Sequence, residues 1–183
     1  MPEASSDQLL PSIKIGEGTT MTFLRNEPYL TRVHVSAEVH NQETLLAPPH
    51  WHETHDEFFR IVKGRLEVMI GSNTRIYVPE DGEICIPKGV VHSLRGFIGE
   101  ETIFEERTEP MDEAKELFFR NLLGSGKQPT NLFMVMQVFY HGDARPSFPG
   151  NFHWLENMFV TIVGGYIAPM LGYKLKYESL KRV

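Results

Sequence analysis

The stretch that decides the fold is Pro48-Pro49-His50-Trp51-His52-Glu53-Thr54-His55-Asp56-Glu57-Phe58-Phe59-Arg60-Ile61-Val62-Lys63-Gly64. His50 and His52 are two residues apart in an extended context, so both imidazoles leave the same face of a strand. After a short turn, Glu57 opens the next strand and can return to that face. The pattern therefore predicts a strand pair that presents two imidazoles and one carboxylate together, which is metal-ligand chemistry.

Short runs of alternating apolar and polar residues surround this stretch. Clusters of Gly, Pro, Asn and Asp separate the runs, and such clusters are typical of turns. Many short strands without helices between them predict an antiparallel β-sandwich or barrel. The runs cover residues 31–40, 57–62, 65–70, 75–78, 83–86, 90–94 and 101–107.

The apolar period changes to a helical one after residue 109. A helix start is predicted at residues 110–113, and apolar residues then recur at helical spacing until Gly124. Further helices are predicted at residues 132–140 and 152–168. We therefore expect a single domain in two parts, a β-barrel over residues 1–108 and a helical extension over residues 109–183. The extension is expected to pack on the barrel or on a partner subunit.

Composition narrows the class of protein. The 183 residues carry a net charge of -6, which argues against broad capture of nucleic acid. The single cysteine, Cys85, excludes an internal disulfide and a Cys-only zinc cluster. The first residues lack the basic start and apolar run of a secretory signal, so a cytoplasmic protein is expected. Residues 157–173 carry no charge, but Gly164, Gly165 and Pro169 interrupt them, which favours a packed helix over membrane contact.

A second spaced motif supplies a fourth candidate ligand. It runs Gly82-Glu83-Ile84-Cys85-Ile86-Pro87-Lys88-Gly89-Val90-Val91-His92. Three imidazoles and one carboxylate, from His50, His52, Glu57 and His92, would bind one divalent transition metal: Fe, Mn, Ni, Cu or Zn. His34 and His40 are interpreted as ordinary strand residues. The metalloprotease motif His-Glu-x-x-His is absent, and the local β pattern excludes its helix.

Both motifs resemble those of the cupin superfamily. His50, His52, Glu57 and Gly64 match the first cupin motif, and Gly82, Pro87, Gly89 and His92 match the second with one residue fewer. Thr44 and Gly96 depart from residues often found in cupins, and neither position is a ligand. The resemblance implies a mainly β, single-domain antiparallel jelly-roll barrel. The helical tail is loosely similar to that of fungal natural-product-pathway cupins, and cupins commonly form homodimers.

The remaining site residues follow from strand parity. Phe59 and Ile61 share the parity of Glu57, while Val90 and Leu94 share that of His92, so these four predict an apolar substrate pocket. Three tail aromatics are candidates to close one end: Phe118, Phe119 and Trp154. His55 is open to three interpretations: a fifth ligand, a general base or a turn residue. Glu57 is also a candidate for proton transfer, because the resemblance implies that it can leave the metal.

Two classes of function remain. The first is a metal-dependent enzyme for a small organic substrate that is aromatic or polyketide-like. Within that class, the ligand set favours an oxygenase, and a non-redox isomerase, dehydratase, decarboxylase or cyclase is the alternative. The second class is a non-catalytic ligand-binding cupin.

Overall fold

The computed structural model describes residues 9–38, 45–127, 129–177 and 179. In these ranges ten strands precede the first α-helix, and a short eleventh strand lies between the second and third helices. The strands are β1 Ser12–Gly16, β2 Thr19–Phe23, β3 Thr31–Val35, β4 Leu46–Trp51, β5 Asp56–Lys63, β6 Leu66–Ile70, β7 Asn73–Tyr77, β8 Glu83–Ile86, β9 His92–Arg95, β10 Thr102–Glu109 and β11 Arg145–Pro146. The helices are α1 Lys115–Leu123, α2 Leu132–His141, α3 His153–Val160 and α4 Ala168–Met170, with a π-helical segment Thr161–Ile167 between α3 and α4 and a 3-10 turn Pro79–Asp81.

The strands form two antiparallel sheets around one core. One sheet has the order β1-β2-β3-β10-β5-β8, and the other has the order β11-β4-β9-β6-β7. Val33, Phe59 and Phe104 of the first sheet pack with Leu66 and Val68 of the second, all of them buried. Burying such side chains is worth about 1.5–3 kcal/mol each and is the main force that joins the sheets. The predicted antiparallel β architecture is therefore confirmed.

Element boundaries differ from the sequence prediction in three places. β3 ends at Val35 because the chain turns there, and the Ser36 hydroxyl accepts a hydrogen bond of 3.2 Å from the Glu38 amide. The remainder of the predicted strand, with His40, lies outside the described residues. α1 begins at Lys115 and not at residues 110–113, because the Asp112 carboxylate binds the amide of Ala114 ahead of the first turn. The predicted helix at 152–168 contains the π-helical segment.

The extension is joined to the barrel through strand pairing and buried polar groups. β11 pairs with β4, which carries His50. The carboxylate of Glu156, fully buried on α3, accepts hydrogen bonds from Trp51 Nε1 at 2.7 Å and from the Phe148 amide at 2.6 Å. Gly164 lets the π-helical segment touch α2, because a Cβ there would lie 2.0 Å from the Met136 carbonyl oxygen. The described helices include none that is long and apolar enough to span a membrane.

Candidate metal centre and cavity

Strand ends bring the four predicted ligands together. His50 near the end of β4 is in register with His92, the first residue of β9, and their ring centroids are 4.2 Å apart. His52 follows β4 directly, and Glu57 is the second residue of β5. One side-chain nitrogen or oxygen of each of these four residues lies within 4.8 Å of the others.

The Nδ1 atoms of the three imidazoles face main-chain carbonyl oxygens. Because a carbonyl only accepts, Nδ1 of a neutral ring carries the proton and Nε2 carries the lone pair that a metal needs. This orients all three rings as Nε2 ligands. The N···O pairs are His50 with Pro48 at 2.8 Å, His52 with Asp143 at 2.6 Å and His92 with Val90 at 3.0 Å.

Three atoms of this cluster are orphaned. Nε2 of His52, Nε2 of His92 and Oε2 of Glu57 are buried and have no hydrogen-bond partner among the described residues. The Glu57 Oε2 atom is 3.4 Å from the first nitrogen and 2.7 Å from the second. Lone pairs this close repel each other unless a proton or a cation lies between them. The donor set and its orphaned atoms therefore fit a divalent transition metal.

The four candidate ligands have shifted pKa values, and the direction of the shift differs among them. Burial lowers the pKa of His50 well below its usual value, and burial lowers the pKa of His52 to about 4. Burial raises the pKa of Glu57, but His52 and His92 outweigh it, so that pKa lies well below normal. Burial lowers the pKa of His92, but the Glu57 charge outweighs it and the pKa is raised. The low pKa of Glu57 thus favours a carboxylate beside the imidazoles. A bound cation can take the place of the proton on His92.

His55 lies behind the four ligands. It is 4% exposed, so the interpretation as an exposed turn residue is wrong. Its ring stacks on His52 at 4.4 Å, and its Nδ1 is 3.0 Å from Asp143 Oδ2. His55 is not among the residues that line the cavity described below. It shares a second ligand-type cluster with His52 and Asp143.

A cavity of about 440 Å³ opens beside the cluster. His50, His52 and Glu57 line one part of it, and most of the remaining wall is apolar. Much of that wall comes from β1, β2 and α1. The wall residues include Ile15, Met21, Val33, Phe104, Phe118, Phe119, Leu122 and Leu123.

The predicted pocket residues divide between the cavity and the core. Leu94 lines the cavity, whereas Phe59 and Ile61 are buried in the barrel core and Val90 packs against it. Strand parity indicates which side chains point into the barrel, but it does not indicate how far along the barrel each side chain lies from the cavity. Among the tail aromatics, Phe118 and Phe119 line the cavity, but Trp154 is 69% exposed and does not.

The sequence interpretation missed two charged residues in the cavity wall. Glu106 on β10 and Lys115 on α1 are both buried there. Burial and the nearby charge of Glu57 raise the pKa of Glu106 well above normal. Burial lowers the pKa of Lys115, although the nearby carboxylates of Glu57 and Asp143 oppose that effect.

The sequence contains a pattern that could have identified each of these two residues. Two consecutive acids, Glu105 and Glu106, stand in a strand, so one of them must face inward. Glu105 faces Arg32 and Arg60 on the opposite face. Lys115 lies three residues before Phe118 and seven before Leu122, on the apolar face of α1.

Comparison with known proteins agrees with this architecture. Residues 38–103 match the family Cupin_2, the cupin domain. The chain is 31% identical over 146 residues to an oxidoreductase of Arthrobotrys oligospora, covering 69% of this chain and 56% of that protein. It is 29% identical over 145 residues to "Probable oxidoreductase patJ" of Penicillium expansum, covering 69% and 43%. The chain thus spans about half the length of the curated relatives it matches.

A solved structure, KdgF from Halomonas sp., is similar in fold. The identity is 18%, the coverage is 57% of this chain and 88% of that one, and the TM-score is 0.40. Residues 38–103 therefore match the cupin domain that the two motifs predicted, and the two antiparallel sheets agree with the jelly-roll barrel that this domain implies.

Proposed function

We propose that this protein is a metal-dependent enzyme that binds one divalent transition metal through His50, His52, Glu57 and His92. The observation that carries the proposal is the set of buried, orphaned ligand atoms of His52, Glu57 and His92 beside an apolar cavity. A bound metal would supply Lewis-acid polarisation of a substrate oxygen and, if redox-active, electron transfer. The substrate is a small organic molecule with an apolar, aromatic or polyketide-like body, because the wall offers that surface.

An oxidoreductase, specifically an oxygenase, is the favoured reaction class. The relatives named oxidoreductases support it, and so does the imidazole-rich ligand set. In this reading the chain's own residues orient the substrate: the aromatic wall holds its body and excludes water, and His50, His52 and Glu57 mark the reacting end. For His55 we propose a positioning role in place of the predicted catalytic one, since its ring stacks on His52 and it is not among the cavity-lining residues.

A non-redox isomerase, dehydratase, decarboxylase or cyclase is the second candidate. The pair Glu57 and Glu106, both of which line the cavity, favours it, because burial and the Glu57 charge raise the pKa of Glu106 well above normal and so favour a protonated carboxyl group there. That proton lies at the cavity wall, where it can be given to a substrate carbon or oxygen and taken back. Product formation that persists under strict anaerobiosis would select this candidate, and loss of product would select the oxygenase.

The primary test is the metal content of the purified protein by elemental analysis. We expect about one metal per chain in the wild type, and loss of nearly all of it in His50→Ala and His92→Ala with an unchanged circular dichroism spectrum. His34→Ala is the matched control, because His34 is an exposed strand residue paired with Glu101 at 3.0 Å. Metal retained in either ligand variant would contradict the proposed centre. Full metal loading without turnover on a broad substrate panel would favour the ligand-binding alternative.

We also propose that two copies pair through the helical extension. Trp154, Met158, Ile162, Tyr166 and Met170, here called the apolar row, recur every four residues and are 44–85% exposed. With Phe152 and Leu171 they expose on the order of 900 Å² of side chain. A stable interface buries about 800 Å² per partner, and a two-fold axis would place the same row on both copies.

Two further expectations are part of this proposal. The extension over residues 109–183 acts as part of the barrel's site and not as a separate domain, because α1 supplies cavity wall. A cytoplasmic location is supported by the free, exposed Cys85, which suits a reducing compartment.

A further inference from the structure

Lys115 has an unusual environment for a lysine. The residue opens α1, is only 3% exposed and lines the cavity that also contains His50, His52 and Glu57. An ammonium group has three N–H donors and is costly to bury without acceptors. The acceptors for these donors must come from the protein or from a molecule bound beside it.

The protein supplies only part of that set. Lys115 Nζ donates one hydrogen bond, of 3.1 Å, to the carbonyl oxygen of Gly142, and it lies 4.9 Å from the centroid of the Phe118 ring. In the part of the chain that the structure describes, no carboxylate forms an ion pair with this ammonium. Two of its three donors therefore have no protein acceptor among the described residues.

Lys115 is one of the polar residues of the cavity wall. Glu106, Glu57, His50 and His52 line the cavity with Lys115, while Phe118, which follows it by one helical turn, belongs to the apolar wall. An occupant that satisfies both parts has an apolar body and a charged acceptor. A carboxylate presents two oxygens, which matches the two remaining N–H donors.

We propose that the substrate is a small apolar carboxylic acid whose carboxylate is bound by Lys115, with its ring or chain against the α1 wall. The inference rests on the proposed function and deepens it, because it names the substrate class for the same site. Lys115 also lies close enough to Glu57 and Glu106 for their charges to act on it, so the bound carboxylate would lie beside the metal ligands.

The alternative explanation is structural. Lys115 would then serve only as a counter-charge for the nearby carboxylates, among them Glu57, Asp143 and Glu106. In that case a variant would change the stability of the fold or of the metal site but would not discriminate between a charged and a neutral ligand. This difference decides the design of the test.

The test compares two probes of nearly equal shape, 2-naphthoate and 2-acetylnaphthalene, by calorimetry. Both are measured on metal-free and Zn²⁺-loaded protein. We expect the wild type to bind 2-naphthoate at least about tenfold more tightly than the ketone in both forms, since a hydrogen bond to a charged group is worth that factor. Lys115→Met should remove the preference while keeping ketone binding, and Lys115→Arg should restore part of it.

Lys14→Met is the matched control, because Lys14 is exposed on β1, whose neighbouring residues Ile15 and Gly16 line the cavity. Lys115→Gln provides a second neutral variant if Lys115→Met does not fold. A preference that survives in Lys115→Met or Lys115→Gln, or wild-type protein that binds no 2-naphthoate at millimolar concentration, overturns the inference.

The two proposals fail separately. A preference that depends on Lys115 in protein unable to hold metal would leave the inference standing and refute the metal enzyme. Normal metal content without a preference for 2-naphthoate would refute the carboxylate inference and leave the metal-enzyme proposal standing.

Discussion

Replacing Asp143 tests whether the extension positions the metal ligands. The Asp143 carboxylate accepts hydrogen bonds from the Thr54 amide at 2.9 Å, the Thr54 hydroxyl at 2.5 Å and the Glu53 amide at 3.2 Å. It also lies 3.0 Å from His55 Nδ1, and its own carbonyl oxygen accepts from His52 Nδ1. The residue therefore holds both ends of the loop between β4 and β5.

The size of the effect follows from these contacts. Of the four side-chain contacts given above, Oδ2 makes three and Oδ1 makes one, so Asp143→Asn can keep three of them and loses one, together with the charge. We expect it to lower the free energy of unfolding by about 1–3 kcal/mol. Asp143→Ala loses all four contacts and also places Ala at a φ of 54°, which Asn tolerates better, so a loss of about 3–5 kcal/mol is expected.

Metal affinity should follow the same order. Outer-shell partners of ligating imidazoles are typically worth about 10–100-fold in affinity, and we expect a loss in that range for Asp143→Ala and a smaller one for Asp143→Asn. Chelator competition measures the affinity, and the visible spectrum of the Co²⁺-loaded protein reports the ligand geometry. Asp112→Asn is the control, because Asp112 is an exposed aspartate that binds the Ala114 amide and touches no imidazole. Unchanged Co²⁺ affinity and spectrum in a destabilised Asp143→Ala would refute the positioning role.

Two further predictions concern the turn after β5 and the apolar row. Gly64→Ala should lower the free energy of unfolding by about 2–5 kcal/mol in urea titrations, because φ is 76° and a Cβ would lie 2.1 Å from the Glu101 carbonyl oxygen. Gly71→Ala, with a φ of 60° and open space, should cost only about 1–2 kcal/mol, and equal losses would contradict the steric argument. Ile162→Glu should convert a dimer to monomers in light scattering, whereas Ile76→Glu on β7, of similar exposure (42% against 44%), should not. A monomeric wild type at about 100 µM would contradict pairing through the apolar row.

The four candidate ligands could be predicted from the sequence because local rules place them. Parity fixes the face of His50 and of Glu57, and the short turns at either side bring consecutive strands back together. His92 is remote in sequence, but it opens a strand after a Pro-Gly turn, so the same parity rule applies to it. Parity could not give depth, which is why Phe59 and Ile61 were assigned to the pocket although they lie in the core.

Other parts of the site depend on tertiary packing and left no local pattern. The hydrogen bond between His52 and the Asp143 carbonyl joins residues 91 positions apart. His55 looked like an exposed turn residue because the group that buries it, Asp143, comes from the extension. The position of Lys115 depends in the same way on where α1 docks, although its place on an apolar helix face was visible beforehand.

The division of the site between barrel and extension bears on what family membership can tell. The cupin match covers residues 38–103, which include all four candidate ligands and end before Glu106, Lys115 and Asp143. The matched part thus contains the whole candidate metal centre, a kind of site that serves many reactions. The residues proposed to contact the substrate, Glu106 and Lys115, and the residue that holds the loop between β4 and β5, Asp143, lie in β10 and in the extension. The reaction should therefore be sought through variants of those residues, because ligand variants would abolish every metal-dependent activity alike and distinguish none.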